Sequence, residues 1–175
     1  MKRNAGFTLI ELMIVGSIIA ILATIAIPRL MRSKIAANEA DAVGGLRTLS
    51  SAQTSFQGIS AMDVNANGVG EYGSFGQLSS AVPAFIDESI GSGQKAGYFF
   101  MVTTTGNAST DEIMWEATAY AISKGRTGNR TFYVNESGVL RGSDVVASPV
   151  GPPGPVATRV IADPVFGGNF PPVAQ

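Results

Sequence analysis

Histidine and cysteine are both absent from this 175-residue chain. Their absence excludes a disulfide framework, thiolate or imidazole metal ligands, a cysteine nucleophile and the Ser-His-Asp or Cys-His arrangements of hydrolases. It also removes the usual general base near neutral pH, so catalysis would have to rest on carboxylates, lysines or a borrowed cofactor. The acids Asp111, Glu112 and Glu116 gather only around an expected strand start, where charge usually forms a solvated face, and no catalytic residue is nominated. Charge is scarce as well: 14% of residues are charged and the formal net charge is −1. With no basic surplus to neutralise a phosphate backbone, nucleic acid is not an expected partner. Proline is nearly missing before residue 148, where only Pro28 and Pro83 occur. The length suits one globular domain plus an extra element.

What is abundant is apolar sequence at the N-terminus. After Met1-Lys2-Arg3-Asn4-Ala5-Gly6 the chain runs FTLIELMIVGSIIAILATIAIP from Phe7 to Pro28, and Glu11 is its one ionisable side chain. As a helix rising 1.5 Å per residue, this run is roughly 33 Å long, close to the hydrocarbon thickness of a bilayer. It is longer than a signal-peptide core and ends in Pro28-Arg29 rather than a small-residue cleavage site, so the apolar part is expected to be retained. Lys2 and Arg3 favour a cytoplasmic N-terminus, against which Arg29, Arg32 and Lys34 pull from the far side.

The run Gly6-Phe7-Thr8-Leu9-Ile10-Glu11-Leu12-Met13 resembles the class III leader and N-terminal helix shared by type IV pilins and type II secretion pseudopilins. The likeness extends over residues 1 to about 57 and then fades. It implies an α+β, pilin-like fold in which a long N-terminal α-helix packs on a small antiparallel β-sheet head. It further implies that a prepilin peptidase cuts the Gly6-Phe7 bond on the cytoplasmic side and methylates the new amino terminus at Phe7. The implied partners are further copies of the subunit, that peptidase, and an inner-membrane assembly platform with its ATPase. The precursor would sit in the bacterial inner membrane as a single-pass protein, and the product would join a periplasmic or cell-surface filament.

The same residues have a chemistry of their own. Gly6 carries no side chain to obstruct a protease at the scissile bond. A carboxylate inside an apolar helix is expensive in lipid and calls for a partner or a function. The resemblance implies that Glu11 pairs with the freed α-amino group of Phe7 on a neighbouring subunit; the plainer reading is that Glu11 snorkels to the headgroups. Pro28 removes a backbone donor and clashes one turn back, so it predicts a bend or local melting, or else marks the membrane exit.

Beyond Lys34 the pattern turns amphipathic, with Ile35, Ala42, Leu46, Leu49 and Phe56 on one stripe. A helix from Phe7 to about Phe56 would be about 75 Å long. Gly44-Gly45 weakens it and predicts either close approach of a sheet or partial melting. The expected organisation is a leader at 1–6, an apolar helical half at 7–28, an amphipathic half at 29–57, a head at 58–147 and a Pro/Gly-rich segment at 148–175.

The head opens on AMDVNANGVGEYGSFG, residues 61–76, which reads as a loop. Asp63, Asn65 and Asn67 followed by Gly68 match the first half of a calcium loop, with Glu71 at its ninth position. The twelfth position is Ser74 instead of a bidentate glutamate, which argues against an EF-hand proper. The stretch is therefore either a Ca2+ site or an Asx-rich turn bonded to its own backbone. Calcium sites of some pseudopilin heads do not map onto it.

One short helical turn is expected between Leu78 and Ile90, then an antiparallel meander over Gly97–Thr105, Ile113–Ile122 and Thr131–Leu140, the last folded over Asn135-Glu136-Ser137-Gly138. Trp115, Tyr120, Phe132 and Tyr133 read as core and rim aromatics. Seven of the nine prolines fall in 148–175, including Gly151-Pro152-Pro153-Gly154-Pro155, so neither regular helix nor central strand is expected there. The leading functional expectation is a structural subunit of a type IV pilus-like filament. A type II pseudopilin and an anchored extracytoplasmic calcium-binding module are the alternatives.

Overall fold

A computed structural model gives the structure of residues 7–143. The leader residues, Gly6 among them, and the Pro/Gly-rich segment at 148–175 lie outside the described residues, as does the end of the expected head. The described chain divides into two units, one ending at Lys34 and one beginning at Ile35. Helix α1, Leu9–Gly58, supplies the first unit and the opening of the second.

In the first unit the apolar side chains from Phe7 to Met31 make no core: Phe7 is 86% exposed, and Ile10, Leu12, Ile14, Ile19, Leu22 and Ile27 are exposed too. Aqueous exposure of so much apolar surface is untenable, which fits a helix long and apolar enough to cross a membrane. The backbone stays helical through Pro28, so the local melting expected there does not occur. Helices at membrane depth tolerate proline because neighbouring groups take over the freed carbonyl.

In the second unit α1 buries Ala42, Gly45, Leu46, Leu49, Ala52, Gln53 and Phe56. Two one-turn elements follow, α2 Phe75–Ser80 and α3 Glu88–Gly91, where the sequence suggested a single turn. Five strands then form one antiparallel sheet in sequence order: β1 Gln94–Lys95, β2 Tyr98–Thr103, β3 Glu116–Ala121, β4 Thr131–Asn135 and β5 Arg141–Ser143. The expected meander is present, with β1 as an added short edge. The strand expected from Ile113 begins only at Glu116, because a one-turn helix, α4 Ala108–Asp111, and the bends after it occupy the preceding backbone.

The core lies between the α1 stripe and one sheet face, where Tyr98 and Phe100 of β2, Ala117, Ala119 and Ala121 of β3, and Phe132 and Val134 of β4 are buried. Phe100 lies opposite Ala119, and Ala119 opposite Phe132, so small alanines alternate with large rings across the sheet. A Cβ added at Gly45 would lie 2.7 Å from Phe100 Cε1, whereas one at Gly44 would meet nothing within 4 Å. Of the two expectations for this glycine pair, close approach is the outcome, and it belongs to Gly45.

Gln53 is fully buried on α1 and pairs in both directions with the backbone of Gly73, donating to its carbonyl at 2.6 Å and accepting from its N–H at 2.8 Å. An isolated loop residue is thereby satisfied by a side chain acting as a strand partner.

All four tyrosines have pKa values raised above the phenol norm, chiefly by burial. Tyr133 is pushed up to about 12 by burial and then by the Glu116 and Glu136 carboxylates. Tyr98, also facing the Glu39 carboxylate, is raised further. A raised folded-state value means that the neutral phenol is favoured by folding. This contribution is complete below the unfolded value, about 10, and is lost as pH rises through the folded values. We expect the near-ultraviolet phenolate signal to stay suppressed at about pH 10 in the native protein and to appear together with unfolding above it. Ordinary titration of all four tyrosines with the fold intact would contradict these environments.

Candidate functional site

Two places carry the chemistry expected from the sequence. At the start of α1 the Thr8 N–H and hydroxyl both donate to Glu11 Oε2, each at 2.7 Å, and the Glu11 N–H donates to Thr8 Oγ1 at 3.3 Å. This reciprocal arrangement is a capping box, which satisfies donors left open at a helix start. Sequence reasoning passed over it, although Thr8-x-x-Glu11 is the legible signal. All the bonds fall on Oε2; Oε1 accepts none among the described residues, and the side chain is exposed. A carboxylate so arranged holds its own helix start with one oxygen. Phe7 precedes Thr8 and is exposed, while Pro28 stands inside the same helix.

The second place is the loop from Asp63 to Gly70, closed by the Glu71 N–H donating to the Met62 carbonyl at 3.0 Å. Asp63 Oδ1 and Asn65 Oδ1 both accept from the Asn67 N–H, at 3.2 and 3.1 Å, and Asp63 Oδ2 accepts from the Gly68 N–H at 2.8 Å. Asn67 Oδ1 accepts from the Val69 N–H at 2.8 Å. The turn requires φ of +87° at Gly68, a backbone region that side-chain-bearing residues rarely adopt. Glu71 reaches back beneath the turn, its Oε1 accepting from the Val64 N–H at 2.9 Å. The four residues singled out from the sequence are therefore brought onto one turn. The Asx-turn bonding foreseen as the plainer reading is present as well.

Two neighbouring acids support this loop, and the sequence did not reveal them. Glu112 Oε1 accepts from the side-chain amides of Asn65 and Asn67, at 2.6 and 2.9 Å, which turns both amide oxygens toward the loop. Asp111, expected on a solvated face, is instead buried. Its Oδ1 accepts from the Thr105 N–H and hydroxyl at 2.6 and 2.7 Å, and its Oδ2 from the Gly106 N–H at 2.9 Å. Gln57 of α1 donates to the Glu112 carbonyl and the Tyr72 N–H to the Asp111 carbonyl, so the helix end, the loop and residues 104–112 are tied together. Met62, Val64, Glu71, Tyr72 and Asp111 line a cavity of about 300 Å³ beside the loop.

Comparison with known proteins bears on the first place. Residues 1–27 match the family model of the prokaryotic N-terminal methylation motif. Over 54 residues the chain is 52% identical to the type IV major pilin protein PilA of Myxococcus xanthus (strain DK1622), an alignment covering 31% of this chain and 24% of that protein. The chain's N-terminal stretch is similar to that of type IV pilins. The chain spans about a quarter of the length of the curated relative it matches. No solved structure matches it. The pilin α+β plan is nonetheless present: a long N-terminal helix followed by a small antiparallel sheet.

Proposed function

We propose that the chain is the precursor of a structural subunit of a type IV pilus-like filament. It would be cleaved between Gly6 and Phe7, methylated at Phe7 and polymerised through the apolar half of α1. The observation that carries this reading is the pairing of the N-terminal methylation motif with an apolar half of α1, up to Met31, that buries none of its side chains among the described residues. Before assembly that surface is covered by lipid, in a single-pass inner-membrane precursor with a cytoplasmic N-terminus. In the filament the helices of neighbouring subunits cover it, with side-chain packing replacing lipid contacts.

Glu11 acts at the handover. Its Thr8-bound oxygen keeps the helix start formed, and its free oxygen receives the α-amino group of a neighbouring Phe7, which sets the register between subunits. The working partners are other subunits, the prepilin peptidase that makes the cut, and the assembly platform with its ATPase that lifts the helix out of the membrane. A pseudopilin of a type II secretion system uses the same N-terminal half in the same way.

Mass spectrometry of the protein recovered from its native host tests the processing step. The expected N-terminal peptide begins at Phe7 and carries one methyl group; a product still beginning at Met1 defeats the reading.

A further inference from the structure

Glu71 is 1% exposed, and its Oε2 has no hydrogen-bond partner. No lysine or arginine among the described residues forms an ion pair with it or with Asp63. A buried carboxylate oxygen without a donor or a counter-charge is unfavourable, and such groups are retained where something supplies the missing partner. The other oxygen of the same carboxylate, Oε1, accepts from the Val64 N–H and so ties Glu71 to the turn whose Asp63 and Asn65 oxygens accept from the Asn67 N–H.

We propose that this turn binds a calcium ion, held by Glu71 through Oε2, by the Asp63 carboxylate and by the amide oxygens of Asn65 and Asn67. The hydrogen bonds to Asp63 and Asn65 come from one N–H, that of Asn67, which holds the two side-chain oxygens close to one another. Glu71 is anchored to Val64, the residue between them. Each oxygen already accepting one hydrogen bond keeps a second lone pair for a metal. Glu112 contributes by position: with both asparagine nitrogens bonded to it, the harder amide oxygens are left to face inward.

Two carboxylates balance the charge of a divalent ion. An all-oxygen set of mixed carboxylate and amide on a pliable loop suits calcium, whose shell is large and irregular. Magnesium demands a rigid octahedron and keeps its waters. Loop carbonyls and water complete the shell. With only two charged ligands the affinity belongs with extracellular modules, at about 10⁻⁴–10⁻³ M. This inference is independent of filament assembly, since it rests on the head alone.

The full chain in detergent micelles provides the test, because Tyr72 follows Glu71 and its ring lies 5.9 Å from that of Trp115, the single tryptophan. Terbium, an oxygen-seeking calcium substitute, should show luminescence sensitised through Trp115, and calcium chloride should displace it saturably while magnesium does not. Glu71→Gln and Asp63→Asn should each weaken calcium binding by about tenfold or more. Calcium at about 10 mM should raise the melting temperature of the wild type and not of Glu71→Gln. The site is overturned by any of three results: no saturable terbium signal in the wild type, calcium affinity unchanged in Glu71→Gln, or a Glu71→Gln protein more stable than the wild type even with calcium present. The last would mean that the buried side chain needs no cation. Should Glu71→Gln fail to fold, Asp63→Asn, whose carboxylate is only half-buried, decides by the same titration.

Discussion

Filament yield is expected to fall by about tenfold or more when Glu11 is replaced by alanine, with membrane insertion of the precursor intact. Two roles are lost together in that variant: the cap made with Thr8 and the negative charge offered to a neighbouring amine. Glu11→Gln separates them. Glutamine serves a capping box as well as glutamate does, so the helix start survives while the charge is gone. If the charge sets register between subunits, both variants insert into membranes and neither assembles. Sheared-filament preparations and membrane fractions from the same cells read the two steps. Normal filaments from Glu11→Gln would sink the pairing and leave Glu11 a helix cap.

The second large effect concerns adjacent glycines with opposite outcomes. Gly45→Val should destabilise the folded head by about 1–3 kcal/mol, because its side chain would be driven into a Phe100 ring that is 1% exposed and enclosed by the core. Gly44→Ala, on the exposed side of the same helix turn with open space around it, should stabilise by about 0.5–1 kcal/mol through reduced backbone freedom in the unfolded chain. Urea titration of the full chain in detergent, following Trp115 emission, measures both. A Gly45→Val protein at least as stable as the wild type would mean that α1 does not sit as close to β2 as described.

The amphipathic stripe shows how much of this was legible beforehand. Ala42, Leu46, Leu49 and Phe56 are buried as the 3.6-residue period requires, and Ile35 at its edge is half-buried. The same period could not nominate Gln53, because a glutamine reads as polar surface until the Gly73 backbone is found opposite it. The strands followed from alternating β-branched and aromatic residues, and the turn at Asn135–Gly138 closes by a Gly138 N–H bond to the Asn135 carbonyl at 2.8 Å. Ile113 failed as a strand residue since periodicity carries no information about Asp111, which folds the preceding backbone around itself through Thr105 and Gly106. In the loop, the Asp63-x-Asn65-x-Asn67-Gly68 spacing announced oxygen ligands or Asx turns without choosing between them.

The cut at Gly6-Phe7 was expected only from the resemblance to type IV pilins, whereas from the amino-acid order alone came the membrane-length apolar run, its single acid and the helix-then-sheet plan. These are properties of neighbouring residues, set by local hydrophobic pattern and by the cost of charge in lipid. Tertiary structure decided that Gly45 rather than Gly44 admits Phe100, that Gln53 completes the backbone of Gly73, and that Glu71 is buried with an oxygen still to be satisfied. Each depends on groups distant in the chain meeting in space, where close packing and the need to satisfy every buried polar atom act on geometry that no local pattern encodes.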